Sequence, residues 1–206
     1  MYMFATKRIT TIIAMLAIAL LSVSCSNDTD TTLTSQQKAI ENYLKGSHKP
    51  RLIEEYDIPE SMDEEPQFYT HWGLNIFRYI STYYDEGREL KPIITKGTTF
   101  DIRYTAYTFK NGAPTLDDMF ATNDSAKIEE LYKGYDDENI WSTEPMRITL
   151  GHQALIGGLD TALEGCREGD RVEIYITFEA AYGKNYIGMV PSKSAVMWEI
   201  EILDIL

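Results

Sequence analysis

The chain has 206 residues, of which 44% are hydrophobic and 25% are charged, and its formal net charge is −13. This length and composition predict one globular domain with extensions. The acidic balance excludes nucleic acid as a partner, because no basic patch is available to neutralise phosphates. It also disfavours electrostatic docking on anionic lipid.

The N-terminus has the pattern of a secretory signal. A short basic region precedes the apolar run Ile9–Leu21, which is too short to span a bilayer, and small residues then lead to Cys25. The cysteine resembles the lipidated residue of a bacterial lipoprotein signal, so we expect removal of residues 1–24 and acylation of Cys25, for example with palmitate. The resemblance implies a cell-envelope protein held in the outer membrane by its acyl chains. Ser22 stands where such signals usually have an aliphatic residue, and ordinary signal cleavage is the alternative.

A polar segment and a mixed extension follow the signal. Residues 25–33 are predicted as a flexible tether, because polar side chains dominate them. Residues 34–70 are predicted as a helical and then irregular extension. Ile40 and Leu44 fall on one face of a helix that ends near Lys45, and prolines follow.

Residues 71–206 are predicted to form an α+β domain. Four segments have the apolar and aromatic patterns of strands: Asn75–Tyr84, residues 98–109, Arg171–Phe178 and Val196–Leu203. The last two alternate apolar with polar residues, so we expect one wet face on each, as in an antiparallel sheet. Leu116–Leu131 has mixed helical character. A short apolar helix that begins near Leu155 is predicted to pack on the dry face of a bent antiparallel sheet.

The motifs of the C-terminal half follow the order of a known family. Six motifs occur in sequence: Thr149-Leu150-Gly151, Leu155-Ile156 with Gly158-Leu159, Gly169-Asp170, Ala181-Tyr182-Gly183, Val190-Pro191 and Trp198-Glu199-Ile200-Glu201-Leu203. Their order and spacing resemble those of FKBP-type peptidyl-prolyl isomerases, from about Gly97 to Leu203. The resemblance implies an FKBP-like fold that isomerises X-Pro peptide bonds and needs neither a cofactor nor a metal.

The resemblance also implies a site. Its catalytic residues would be Tyr182, Asp117, Tyr104 and Trp198. Its substrate-binding residues would be Ile156, Leu155, Leu159, Met146, Ile148 and Val190. Rotation about an X-Pro bond has a barrier near ~20 kcal/mol, and an apolar pocket can stabilise the twisted amide. The Tyr182 hydroxyl and the Ile156 backbone N–H would orient the peptide. The apolar residues could equally be ordinary core, and Asp117 a solvated turn residue.

Several positions depart from the family pattern. Leu159 stands at the pocket floor where many members have Trp, and Met146 stands where an aromatic residue is common. Leu116 replaces the Phe that usually precedes the pocket aspartate, and Phe178 replaces a Pro. An insertion at about 119–144 would overhang the pocket mouth as a lid or a client-binding flap, or would be solvated surface.

Three functions remain open on these grounds. The first is an isomerase and folding helper that acts on proline-containing segments of exported proteins. The second is an FKBP-fold lipoprotein that binds peptide or an envelope protein without useful turnover. The third is a structural surface lipoprotein.

The remaining reactive side chains indicate no further chemistry. His48, His71 and His152 lack the spacing of metal ligands. Cys166 is predicted to be a small buried hydrophobic residue and not a reactive thiol.

Overall fold

The structure, a computed structural model, describes residues 24–61, 65–133, 141–152 and 156–206. Residues 1–23 of the predicted signal lie outside this range, and so does the predicted pocket residue Leu155. Within the described residues, no helix is both long and apolar enough to cross a membrane.

The described residues form three α-helices and an eight-stranded sheet. The helices are α1 (Ser24–Asn42), α2 (Ser125–Leu131) and α3 (Gly157–Leu163). The strands are β1 (Ile53–Glu54), β2 (Phe68–Trp72), β3 (Ile76–Ile80), β4 (Thr99–Phe109), β5 (Met119–Thr122), β6 (Met146–Thr149), β7 (Arg171–Ile176) and β8 (Ala195–Ile205). The sheet order is β1-β2-β3-β7-β8-β4-β5, and β6 also pairs with β4. Every pair is antiparallel except β1 and β2. The predicted α+β architecture is confirmed.

The inner face of the sheet packs against α3. Leu159 and Leu163 of this helix are completely buried, and they share one core with inward residues of β4, β7 and β8. Because side chains alternate along a strand, Ile174 and Ile200 point to this same face. Cys166, just after the helix, is also fully buried, and burial raises the pKa of its thiol to about 11. The prediction of an inert buried cysteine is therefore confirmed.

The N-terminal extension covers part of the outer face. Ile40 and Leu44 are completely buried and belong to one core with Tyr175 and Met197. Burying a large aliphatic side chain contributes about 1.5–3 kcal/mol to the free energy of unfolding. Ile40 and Leu44 therefore stabilise the fold substantially. The prediction that β7 and β8 each have one solvent-exposed face is therefore wrong around Tyr175 and Met197, which are buried on the outer face. The prediction holds farther along β8, where Glu199 is exposed.

Two boundaries differ from the sequence-based expectation. Helix α1 is described from Ser24 onwards, so the segment 25–33 predicted as a tether is helical. Its C-terminal part is held by the sheet, and extending an existing helix costs far less than starting one. The expected domain boundary between residues 70 and 71 falls inside β2, because Phe68–Trp72 pairs with β3. The extension thus supplies strands to the same sheet.

The segment predicted as mixed helix divides into three elements. A 3₁₀ turn at Leu116–Asp118 comes first, and β5 and α2 follow. Thr115 and Asp118 form a reciprocal capping box around the turn. Asp124 caps α2 by accepting a hydrogen bond of 2.9 Å from the backbone N–H of Ala126. The strand between these caps brings residues 119–122 to the edge of β4.

A buried histidine ties the extension to the sheet. His48 Nε2 lies 2.9 Å from Glu173 Oε2, and its Nδ1 contacts the carbonyl oxygen of Pro50. Tyr175 donates a 2.6 Å hydrogen bond to the same oxygen of Glu173. Burial lowers the pKa of His48, but the Glu173 hydrogen bond, the Pro50 carbonyl and the Glu173 charge together raise it above its ordinary value of 6.5.

The His48 pair predicts a pH dependence of stability. A raised pKa in the folded state means that the stabilisation is complete below about pH 6.5 and is lost as the pH rises through the folded value. We therefore expect His48→Gln to lower the free energy of unfolding more at about pH 6 than at about pH 9. Urea denaturation across this range measures the difference. His152→Gln, at an exposed position, is the control, and an equal loss for His48→Gln at both pH values would contradict the prediction.

Candidate functional site

Four aromatic side chains meet on the inner face of the sheet. The rings of Tyr104 and Trp198 have centroids 5.2 Å apart and are tilted by 31°. Phe120 packs edge-on against Trp198 at 6.0 Å and against Tyr182 at 6.1 Å. We call Tyr104, Phe120, Tyr182 and Trp198 the aromatic cluster. Trp198 is buried and the other three are partly exposed, so the cluster presents an apolar surface that a ligand can reach.

Strand register brings most of this cluster together. Ala106 of β4 lies opposite Trp198 on β8 and opposite Ala121 on β5. Tyr104, two residues earlier on β4, shares the inner face with Ala106. Phe120 is adjacent to Ala121 and contacts the core from the β5 edge. Three strands, β4, β5 and β8, thus supply three of the four rings.

Aliphatic residues surround and underlie the cluster. Leu159 and Val190 are fully buried, whereas Met146 and Ile156 are partly buried against the same core. Ile148 is fully buried and pairs with Phe100 across β4 and β6, so it is core and has no surface for a ligand. Ile156 is the N-cap of α3, and its backbone N–H lies outside the hydrogen bonds of that helix.

The polar atoms of the cluster are hydrogen-bond donors. Burial raises the pKa of Tyr104, and burial together with the charge of Tyr104 raises that of Tyr182. Both phenols therefore stay protonated at neutral pH and can donate. The indole N–H of Trp198 is buried without a hydrogen-bond partner in the described part of the chain. An unpaired buried donor is unfavourable by about 1–3 kcal/mol, which is a cost that native structures mostly avoid outside functional sites.

Asp117 lies elsewhere. It is exposed in the 3₁₀ turn before β5, where it borders a groove with Tyr107 and Lys127. Tyr107 belongs to the outer-face core, so Asp117 is not beside Tyr104. The prediction that Asp117 sits at the pocket edge is wrong, because the turn and its capping box occur before the chain reaches the pocket.

The insertion also departs from its predicted place. Helix α2 contributes Lys127 and Glu130 to the outer-side groove, so this helix does not overhang the pocket. The segment 141–145 does border the pocket side, where it lines a groove with Tyr104 and Met146. Residues 134–140 lie outside the described range.

The comparisons with known proteins agree with this geometry. Residues 91–203, more than half of the chain, match the family model described as FKBP-type peptidyl-prolyl cis-trans isomerase. The chain is a member of this family.

Among the residues that the structure describes, no cluster of three or more His, Cys, Asp or Glu side chains could hold a metal ion.

Individual FKBP relatives match shorter stretches. The chain is 33% identical over 60 residues to the peptidyl-prolyl cis-trans isomerase FKBP10 of Mus musculus. That match covers 29% of this chain and 10% of the relative. It is 30% identical over 70 residues to the FK506-binding protein of Neisseria meningitidis serogroup B. That match covers 34% of this chain and 64% of the relative. The chain thus spans less than two thirds of these curated relatives.

Solved structures also match this chain. The crystal structure of the three FKBP domains of wheat FKBP73 has a TM-score of 0.48 and 20% identity, over 68% of this chain and 51% of that chain.

Phe120 is the member of the aromatic cluster that the sequence did not predict. The motif Leu116-Asp117 was expected to supply the pocket turn, but Phe120-Ala121 occupies the position against Tyr104 and Trp198. The segment Met119–Thr122 is apolar, aromatic and β-branched, which is the available strand signal. A small alanine therefore lies where an aspartate was expected.

Gly158 sets the contact between α3 and the loop that carries Tyr182. A Cβ at this position would lie 2.8 Å from Ile176 Cγ2 and 2.9 Å from the carbonyl oxygen of Ala180. The Gly158 N–H donates a 3.1 Å hydrogen bond to that oxygen. Only a residue without a side chain allows the helix and the loop to approach this closely.

The two adjacent glycines predict opposite effects. Gly158→Ala should destabilise the fold by about 1–3 kcal/mol, because the new methyl group overlaps Ile176 and Ala180. Gly157→Ala should be neutral or slightly stabilising, since nothing lies within 4 Å of its added Cβ. Thermal or urea unfolding of both variants measures this. Equal stability of the two variants would show that α3 and the loop are farther apart than described.

Proposed function

We propose that this chain is a peptidyl-prolyl cis-trans isomerase that acts on proline-containing segments of exported proteins. The observation that carries the proposal is the aromatic cluster. It presents three partly exposed rings over the buried Leu159, within a domain of the FKBP family. An apolar surface of aromatic rings is the chemistry that binds a prolyl ring.

The proposed mechanism needs no nucleophile. The barrier of about 18–20 kcal/mol arises because twisting the X-Pro amide removes its resonance. The twisted amide has less charge separation than the planar one, so transfer to an apolar surface favours it over the ground state. Met146 and the rings of the cluster would supply that surface, and the buried Leu159 would pack behind it.

Donors would hold the peptide while the bond rotates. In this proposal the hydroxyl of Tyr182 donates to a backbone carbonyl of the substrate, and the N–H of Ile156 donates to another. The unpaired indole N–H of Trp198 lies in the same cluster, and a small rearrangement on binding would give it a partner. Fixing the residues on both sides of proline restricts rotation to one bond and lowers its entropic cost.

A second function is binding of peptide without useful turnover. The observation in its favour is the position of Asp117, which faces the outer-side groove and not the aromatic cluster. A pocket with a leucine floor that lacks this acid can still bind a prolyl segment through apolar contact. Turnover by the wild-type chain decides between the two functions.

The isomerase proposal predicts which tyrosine matters. Tyr182→Phe should lower kcat/KM for an X-Pro peptide about fivefold, which corresponds to one lost hydrogen bond of about 1 kcal/mol. Tyr186→Phe, at a phenol in the next loop that is 69% exposed, should have no effect. Asp117→Asn should also leave the rate unchanged. The assay is a protease-free cis/trans measurement on soluble protein that lacks residues 1–25.

The outcomes of this assay are distinct. A wild-type rate equal to the uncatalysed one for every residue before proline would reject the isomerase and favour the binding function. Activity that depends on Asp117 but not on Tyr182 would show that the pocket lies elsewhere.

We propose further that acyl chains on Cys25 hold the protein in the cell envelope. The support is the sequence pattern before Cys25. Metabolic labelling with a fatty acid should mark the full chain and not Cys25→Ser, since only the thiol can form the thioether of a lipoprotein. An unlabelled wild-type chain would reject the anchor and leave ordinary signal cleavage.

A further inference from the structure

One side chain of the N-terminal extension joins two loops of the pocket. Gln36, on α1, accepts a 2.9 Å hydrogen bond from the backbone N–H of Phe178 through its Oε1. Its Nε2 donates a 2.8 Å hydrogen bond to the carbonyl oxygen of Lys193. Phe178 begins the loop that leads to Tyr182, and Lys193 follows the loop that contains Val190. Both polar atoms of the Gln36 amide are therefore engaged, each with a different loop.

The Lys193 end of this bridge is conformationally strained. Lys193 has φ +58, in the left-handed region that side chains other than glycine disfavour. Its N–H donates a 3.0 Å hydrogen bond to the carbonyl oxygen of Gly183, directly after Tyr182. The carbonyl of Lys193 is the group that Gln36 binds, so hydrogen bonds on both sides hold this unfavourable conformation.

The Phe178 end depends on a backbone N–H group, which a proline at this position would lack. Phe178 has one, and it points to the Gln36 oxygen. The ring of Phe178 is also fully buried.

We propose that Gln36 is a positioning residue of the pocket: through Phe178 and Lys193 it sets where the Tyr182 loop stands against the aromatic cluster. The inference rests on the proposed isomerase function. It makes the extension part of the working site, although the family match begins only at residue 91. The hydrogen bonds of Gln36 go to the backbone of the two loops and not to the aromatic cluster, so its action is through the loops.

Three single variants test the bridge. Gln36→Met keeps the length of the side chain and removes both hydrogen bonds, whereas Gln36→Glu keeps the acceptor and removes the donor. Lys38→Met introduces the same residue at an exposed position of the same helix and is the matched control. Amide hydrogen exchange followed by NMR reports directly on the backbone N–H groups of Phe178 and Lys193.

The exchange result has a specific expected pattern. In Gln36→Met, the Phe178 and Lys193 amides should both exchange faster, because the first loses its acceptor and the second loses the support of its strained turn. In Gln36→Glu, the Phe178 amide should stay protected while the Lys193 amide exchanges faster. Lys38→Met should match the wild type. Unchanged protection of Phe178 in Gln36→Met would overturn the bridge.

The kinetic result separates positioning from general stability. Gln36→Met should lower kcat/KM for an X-Pro peptide by about threefold and by no more than the Tyr182→Phe loss of about fivefold, since small displacements at a reacting centre are costly. In a Tyr182→Phe background the same substitution should have much less effect, because the hydroxyl that it positions is already absent. Full additivity of the two substitutions, or an unchanged rate in Gln36→Met, would overturn the positioning role.

Failure of the proposed function gives a different result. An inactive wild-type chain would reject the isomerase and the catalytic side of this inference together. The exchange of the Phe178 amide would still decide whether Gln36 holds the loop.

Discussion

The close approach of α3 to β7 is the constraint on which the candidate site depends. Gly158 allows this approach, since any side chain there would overlap Ile176 and the Ala180 carbonyl. The approach places Leu159, the next residue, in the core beneath the aromatic cluster. It also fixes the start of the loop that carries Tyr182. A short helix of seven residues has little stability of its own, so its position comes from packing and not from helix propensity.

The second constraint is that part of the sheet, around Tyr175 and Met197, is buried on both faces. The family match begins at residue 91, yet β1, β2, β3 and the covering helix all precede it. Ile40 and Leu44 shield outward side chains such as Tyr175, and His48 joins the same region to Glu173. The extension is therefore structural. Gln36 of the same extension also hydrogen-bonds the loops that carry Tyr182 and Val190. One helix therefore both packs on the outer face and contacts the loops beside the aromatic cluster.

The sequence predicted most of the fold and part of the site. Tyr104 and Trp198 could be placed because each lies on a strand whose alternation fixes its face. Tyr182 could be placed because the small residues beside it mark a tight loop. Asp117 could not, because an insertion separates it from the next motif and several turns fit the same spacing. Only the pairing of β5 with β4 shows that Phe120 and Ala121 reach the pocket.

By itself, then, the sequence determined the local properties: strand faces, turn glycines, the short apolar helix and the order of motifs that identifies the family. These depend on residues near one another in the chain, so periodicity and spacing are sufficient to find them. The tertiary structure alone decided which long-range partners meet. Three features depend on such partners: the helix that covers Tyr175, the outward position of Asp117 and the hydrogen bond between Gln36 and Phe178. The last of these joins residues 142 positions apart. Their register depends on packing of the whole sheet, which no local pattern contains.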